Sequence, residues 1–172
     1  MNIIILGYMG SGKSVIGRKL SLKINKKFID LDSYIEEKEK DSISNIFQKK
    51  GDLYFRKQES KYLKEILSNN TDLVLSLGGG APCYFNNLDM IISNNNVSFY
   101  LKNSNIQLTS RLLNEKSKRP LISEISSKEK LLEFVSKHLF EREFFYNSAT
   151  YKIDCNDKSV SDVVDDIISR LK

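Results

Sequence analysis

The sequence predicts an α/β fold built on a mainly parallel sheet, and three observations carry that expectation. Short apolar runs alternate along the chain with longer stretches of helical periodicity, the pattern of strand–helix–strand units. A glycine-rich segment, Gly7-Tyr8-Met9-Gly10-Ser11-Gly12-Lys13-Ser14, follows the first apolar run directly and opens the first helical stretch. No internal repeat or low-complexity tract interrupts the alternation across 172 residues, a length that fits one domain at roughly 150 residues per domain.

Taken in order, the apolar run Ile3-Ile4-Ile5-Leu6 reads as the first strand and residues 13–22 as the first helix. Residues 27–30, 73–77, 97–101 and 151–154 are the other expected strands. Helices are expected at 32–38, 42–49, 54–67, 88–92, 106–113 and 128–147. The last helix, 161–171, has Ser161 as its expected cap and Val163, Val164, Ile167, Ile168 and Leu171 at helical spacing, a core-packing stripe. Residues 114–127 are polar, weakly periodic and contain Pro120, which fits either a flap over a site or an ordinary surface loop.

Composition narrows the class further. Hydrophobic residues make up 40% and charged residues 28%, ordinary globular usage that excludes disordered, collagenous and disulfide-scaffold chains. The apolar runs are far shorter than the ~20 residues of a membrane helix. Two cysteines without CxxC spacing, beside one histidine, exclude a zinc site and leave reduced, buried thiols as the expectation. The N-terminus shows no signal-peptide pattern, so a cytoplasmic location is expected.

The net charge is +5, from 27 Lys and Arg against 22 Asp and Glu. Such a surplus fits nucleic acid, an anionic surface or a small anionic substrate. Only six of the basic residues are arginines: Arg18, Arg56, Arg111, Arg119, Arg142 and Arg170. A guanidinium fork binds carboxylate or phosphate bidentately, which an ammonium cannot do, so each arginine is a candidate ligand-binding group.

The segment from Gly7 to Ser14 matches GxxxxGK[ST] between strand and helix, the context that makes this motif a nucleotide site. Its glycines let the backbone curl so that N–H groups, aided by the helix dipole, point at phosphate oxygens. Gly10, Ser11, Gly12, Lys13, Ser14 and Val15 are the expected ATP-binding residues, with Lys13 reaching the β- and γ-phosphates and Ser14 a ligand of Mg²⁺. The chain has no Asn-Lys-x-Asp for guanine and no strand ending in an Asp-Glu pair. With so short a chain and a lid-like segment, a small-molecule kinase is favoured over a GTPase, motor or helicase.

The second strand ends in Asp30-Leu31-Asp32, at the edge where ligands collect in a doubly wound sheet. Alternation is expected to put both carboxylates on one side, one for hydrated Mg²⁺ and one for an acceptor hydroxyl; Asp32 capping the next helix is the alternative. The lone His138, inside a long helix, is read as structural. Gly78-Gly79-Gly80 follows the third strand and either holds an anion or hydroxyl through its amides or simply makes a tight turn.

In combination, the phosphate loop, Asp30-Leu31-Asp32, Ile46-Phe47…Gly51…Phe55-Arg56…Glu59, the three glycines, Arg119-Pro120-Leu121 and Arg142…Tyr146 resemble the shikimate kinase family in order and spacing. The resemblance spans essentially the whole chain. It implies a three-layer, doubly wound, five-stranded parallel sheet of the nucleoside-monophosphate-kinase kind, in one domain with a substrate-binding subdomain near 33–63 and a lid near 112–125. It also implies transfer of the ATP γ-phosphate to the 3-hydroxyl of shikimate, a step of chorismate and aromatic amino-acid biosynthesis, with one Mg²⁺ per subunit.

By position, the resemblance makes Asp32, Lys13 and Arg119 catalytic, and places Asp30 in the water shell of the metal. Asp32 would also hydrogen-bond the ring hydroxyls of the substrate. Arg56, Arg142 and the Gly80 amide would hold the substrate carboxylate, Gly79 would lie near a hydroxyl, Gly78 would also bind substrate, Glu59 would orient Arg56, and Phe47 and Phe55 would wall the ring. Arg119 would close onto the transferring phosphoryl group and Arg111 would lie near adenine. Residues 156–159 lack the Arg and Pro the family often carries there. A monomer is expected, with ATP and shikimate as its partners and neither nucleic acid nor membrane. The competing readings are a kinase of the same class acting on gluconate or a nucleoside monophosphate, and a nucleotide-gated nucleic-acid module using the +5 charge.

Overall fold

The computed structural model describes residues 1–93, 95–115 and 120–171. Five strands form one parallel sheet: β1 (Asn2–Leu6), β2 (Lys27–Asp30), β3 (Leu73–Ser76), β4 (Asn96–Lys102) and β5 (Tyr151–Asp154), in the order β2-β3-β1-β4-β5. The helices are α1 (Lys13–Lys23), α2 (Leu31–Glu39), α3 (Ile43–Asn69), α4 (Asn87–Ile91), α5 (Asn105–Leu113), α6 (Lys128–Asn147) and α7 (Val160–Ser169), with short 3₁₀ turns at Ala81–Cys83 and Pro120–Ile122. No helix among the described residues is long and apolar enough to cross a membrane.

The central strand β1 is buried along its whole length because helices cover both faces of the sheet. Successive side chains alternate between the two layers. Ile4 and Leu6 join Leu75, Tyr100, Leu31, Leu63, Leu112 and Val135 on one face. Ile3 and Ile5 join Val74, Phe99, Leu20, Val163 and Ile167 on the other. Each such side chain contributes on the order of 1.5–3 kcal/mol by leaving water. The expected three-layer, doubly wound architecture is therefore present.

Three local features differ from expectation. Helix α7 is capped by Ser159, not Ser161: the Ser159 hydroxyl accepts from the Asp162 N–H while the Asp162 carboxylate accepts from the Ser159 N–H, a reciprocal capping box. The expected helices 42–49 and 54–67 meet at Gly51 (φ 81°, ψ 170°) as a sharp kink in α3. Helix α2 is capped by Asp30, whose Oδ1 accepts from the N–H groups of Asp32 (3.1 Å) and Ser33 (3.3 Å). Asp32 thus lies in the first helical turn, and this cap, rather than strand alternation, brings the two carboxylates together.

Because β1 and β3 are neighbours, the loops leaving their carboxyl ends lie side by side at the centre of the sheet. This is where open α/β sheets bind ligands. The phosphate loop and the three glycines occupy those two positions.

Candidate active site

The phosphate loop is shaped by glycines in left-handed conformations. Gly12 (φ 90°) turns the chain into α1, and Gly10 (φ 79°) lies where a Cβ would meet Leu112 at 3.2 Å. Lys13, in the first turn of α1, folds back over the loop and donates to the carbonyls of Gly7 (3.0 Å) and Tyr8 (2.9 Å). The Ser14 hydroxyl donates to Asp30 Oδ2 at 2.5 Å. A cavity of about 460 Å³ lies over this loop, lined by the segment from Met9 to Ile16, by Asp30 and Asp32, and by Arg111, Cys155, Lys158 and Val160. Arg111 donates to the Gly10 carbonyl at 3.2 Å, which holds its guanidinium against the loop.

A second cavity, about 610 Å³, is walled by Phe47, Phe55, Leu121, Glu36 and Ile43 and carries Asp32, Arg56, Glu59, Arg142 and the three glycines. The two phenylalanine rings pack 4.6 Å apart, centroid to centroid. Arg56 is buried; it donates to Glu59 Oε2 at 2.8 Å, and its guanidinium carbon lies 4.4 Å from the centre of the Tyr84 ring and 5.0 Å from that of Phe55. Fixed by a carboxylate and sandwiched by rings, it presents a preorganised fork. A larger hollow of about 720 Å³, lined by Asn2, Asn70 and Asn96 among others, shares no residue with these two cavities.

The glycines serve space more than conformation, since none of the three has positive φ. A Cβ on Gly78 would come within 2.7 Å of Asp32 Oδ1 and 2.9 Å of Glu59 Oε1. On Gly80 it would meet Arg56 Nη1 at 2.6 Å, and on Gly79 the Met9 amide nitrogen at 3.3 Å. The turn is both a tight turn, closed by N–H groups of Ala81 and Cys83 donating to Gly78 and Gly80, and a surface that lets charged side chains and the phosphate loop approach closely.

Met9, Asp32 and Gly79 line both cavities, so the two spaces meet there. Burial pushes the Asp32 carboxyl up to about 6, reinforced by the charge of Asp30 and opposed by Lys13 and Arg56. Burial likewise lifts Glu59 to about 7, opposed chiefly by the Arg56 charge and hydrogen bond. Glu59 Oε1 is buried without a hydrogen-bond partner and faces Gly78. An uncharged hydroxyl entering beside Asp32 thus meets a carboxylate poised near neutrality and a carboxylate-binding guanidinium close by.

Each expected site residue within the described chain lies at one of the two cavities; Arg119 lies outside the described residues, as do residues 116–118 of the expected lid. Arg18 and Arg170 lean over the rings of Phe28 (5.4 Å) and Tyr151 (5.7 Å), away from both cavities. Cys155 is buried as expected, whereas Cys83 is only half-buried beside the glycine turn; both are free thiols. Sequence motifs gave no role to Glu36, which lines the second cavity, or to Tyr84, which lies against Arg56; Met9 and Leu121 fall inside quoted motifs but were given no role of their own. No local pattern marks Glu36 or Tyr84, because Glu36 on α2 and Tyr84 after the glycine turn are brought to the site by tertiary packing.

The shikimate kinase family model matches residues 9–172 of this sequence, a span that takes in the site from the phosphate loop to the last helix. The chain belongs to the shikimate kinase family. A shikimate kinase from Flavobacterium psychrophilum is 43% identical over 165 residues, covering 96% of this chain and 95% of that one. Among solved structures, the shikimate kinase from Bacteroides thetaiotaomicron superposes with a TM-score of 0.89 at 30% identity, over 99% of this chain and 98% of that one. The Acinetobacter baumannii shikimate kinase, solved in complex with shikimate, gives a TM-score of 0.87 at 30% identity over 99% and 92% of the two chains. Both structures superpose over nearly the whole chain, so the fold is that of these shikimate kinases.

Proposed function

We infer that this chain transfers the γ-phosphoryl group of ATP to the 3-hydroxyl of shikimate, releasing ADP and 3-phosphoshikimate within aromatic amino-acid biosynthesis. The observation that carries the reading is the meeting of two cavities at Asp32, one built on a phosphate loop and the other on buried arginine and apolar walls. A small carboxylate with ring hydroxyls matches the second cavity: Arg56 and Arg142 take the carboxylate, aided by the Gly80 amide. Gly78 and Gly79 lie against the ring hydroxyls, and Phe47 and Phe55 cover its apolar edge. Glu59 keeps Arg56 in place.

In the transfer, the 3-hydroxyl oxygen bonds to the γ-phosphorus as the bond to the β-phosphate oxygen breaks and ADP leaves. The hydroxyl proton passes to the Asp32 carboxylate and then to water. A carboxyl near 6 serves this well, since it is ionised at neutral pH yet basic enough to accept a proton. Lys13 leaves the loop carbonyls to neutralise phosphate charge, and the loop amides hold the remaining oxygens. Positioning and charge neutralisation carry most of such a transfer, whose transition state is loose. Arg111 and the Cys155–Val160 side of the cavity bound the space for adenine.

Mg²⁺ is part of the proposal. Ser14 and Asp30 put two hard oxygen donors together on the floor of the nucleotide cavity. They fit an ion that keeps several waters and takes its remaining ligands from phosphate, with Ser14 bound directly and Asp30 through water. When bound, the ion supplies charge neutralisation at the β- and γ-phosphates. Two protein oxygens leave most of an octahedral shell open, which the nucleotide's phosphates and water would fill.

We also propose that residues 33–63 act as the substrate-binding subdomain and 112–125 as the lid, with Arg119 closing onto the transferring group by virtue of its Arg-Pro-Leu motif. A monomer suffices, because one chain lines both cavities, and a cytoplasmic location fits the ATP requirement and two free thiols. The test is ADP release measured with shikimate, gluconate and AMP as separate acceptors in the presence of Mg²⁺. Release with shikimate alone is expected, and turnover only with gluconate or AMP would overturn the assignment.

A further inference from the structure

Helix α6 carries three side chains, His138, Arg142 and Tyr146, at four-residue spacing, which places them on one face. Each reaches a different part of the site. Tyr146 is fully buried and donates to the Gly79 carbonyl at 2.6 Å, tying the helix to the glycine turn. Arg142 faces the acceptor cavity. His138 Nδ1 shares a hydrogen bond of 2.9 Å with the hydroxyl of Tyr8, a residue of the phosphate loop that is 1% exposed. The helix therefore spans, over about 12 Å along its axis, both the loop for the phosphate donor and the turn for the acceptor.

The Tyr8 end of this strut bears directly on the chemistry. The Tyr8 carbonyl accepts hydrogen bonds from Lys13 Nζ and, at 3.2 Å, from the Ser11 N–H. Its ring packs edge-on to His138 with centroids 5.5 Å apart, and the Phe134 ring also packs against His138, tilted, at 5.2 Å. A rigid aromatic side chain thus fixes the backbone atom on which Lys13 rests. Burial, with the Arg142 charge, holds the His138 imidazolium range down at about 4, so the pair is uncharged at neutral pH and serves as a plain hydrogen bond.

We propose that the Tyr8–His138 hydrogen bond is a positioning contact that sets the register of the phosphate-donor loop against the acceptor-holding helix α6. Tyr8 and His138 then act on transfer through Lys13 and Arg142, without touching either substrate. The inference rests on the proposed phosphoryl transfer to shikimate and adds to it the element that aligns donor with acceptor. Small misalignments of donor and acceptor are felt in turnover far more than in binding.

The test compares Tyr8→Phe, His138→Leu and the double variant with the unaltered chain, measuring kcat, KM for ATP and for shikimate, and Tm. Phe140→Ser, on the opposite and exposed face of α6, is the control and should keep the unaltered kcat. Each single variant should lower kcat roughly 5–20-fold while both KM values stay within about 3-fold, and the double variant should lose no more than the worse single one. A kcat for Tyr8→Phe within about 2-fold of the unaltered chain, or losses that multiply in the double variant, would overturn the positioning role even where Tm falls. Tyr8→Phe removes only the hydroxyl and decides the matter if His138→Leu does not fold. Absence of shikimate turnover by the unaltered chain would instead overturn the functional reading, and this inference with it.

Discussion

The Asp32 carboxyl sits in a place that raises its proton affinity from two directions, burial and the neighbouring Asp30 charge, while Lys13 and Arg56 hold it short of permanent protonation. The proposed proton transfer to Asp32 requires its ionised form, and Glu59 must be ionised to hold Arg56 by charge, so kcat/KM for shikimate should fall as pH drops through about 7 to 6 and level off above. This parameter reports the free enzyme, whose groups these are. A pH–rate profile flat down to pH 5 would contradict the assignment. Asp32→Asn should lower kcat by roughly 10²–10⁴-fold and leave binding of a non-hydrolysable ATP analogue nearly unchanged, as steady-state kinetics and titration calorimetry would check. In the proposed role of Arg142, Arg142→Ala removes a charged hydrogen bond to the substrate carboxylate worth about 1.5–3 kcal/mol, so KM for shikimate should rise on the order of 10–100-fold with KM for ATP little altered. At this scale the sequence was most informative where function is written in contiguous motifs: the phosphate loop, Asp30-Leu31-Asp32, Phe55-Arg56 with Glu59, and the glycines. It could not show which of Asp30 and Asp32 caps α2, since either fits an N-cap and only the folded geometry separates them. The Tyr8–His138 pair, 130 residues apart in sequence, left no local signal at all.

Among the elements, α3 depends most on a single residue. Gly51 holds φ 81° and ψ 170°, a region in which side-chain-bearing residues are strained, and the space around its missing Cβ is empty for 4 Å. The kink is braced by Glu39 of α2, which accepts from Tyr54 (2.7 Å) and Tyr62 (2.8 Å) beyond the kink and from Lys50 (3.2 Å) before it. Gly51→Ala meets no clash, so its whole cost is conformational, about 1–3 kcal/mol. Urea denaturation should show that loss, and KM for shikimate should rise because Phe47 and Phe55 lie on opposite sides of the kink. Unchanged stability would show that the left-handed geometry is not required. The strands and most helices were legible because buried parallel strands read as apolar runs and helices as periodic ones. The cap of α7 was misplaced by two residues, although the Ser159-x-x-Asp162 spacing of a capping box was present in the sequence. The Gly51 break was visible as two helical segments, but the sharpness of the bend was not, because it is set by the Glu39 clamp.

For the whole molecule, the basic surplus separates by residue type. Lysines such as Lys23, Lys26, Lys49 and Lys158 pair with carboxylates at the surface, where water screens the charges and such pairs add little to stability. Arg56, Arg111 and Arg142 line the two cavities, where a planar fork has work that an ammonium cannot do. The fold explains why the cavities adjoin: neighbouring parallel strands β1 and β3 release their loops side by side, and Gly79 lets those loops approach backbone to backbone. A strut on one face of α6 then fixes both loops. The central claim is that donor and acceptor meet at Asp32 for one transfer to one hydroxyl. Phosphorus NMR of the chain incubated with ATP, Mg²⁺ and shikimate tests it most directly. The expected result is a single new phosphomonoester, on the 3-oxygen of shikimate, growing in step with ADP. ADP formed without that ester, or a phosphate on another hydroxyl, would contradict it.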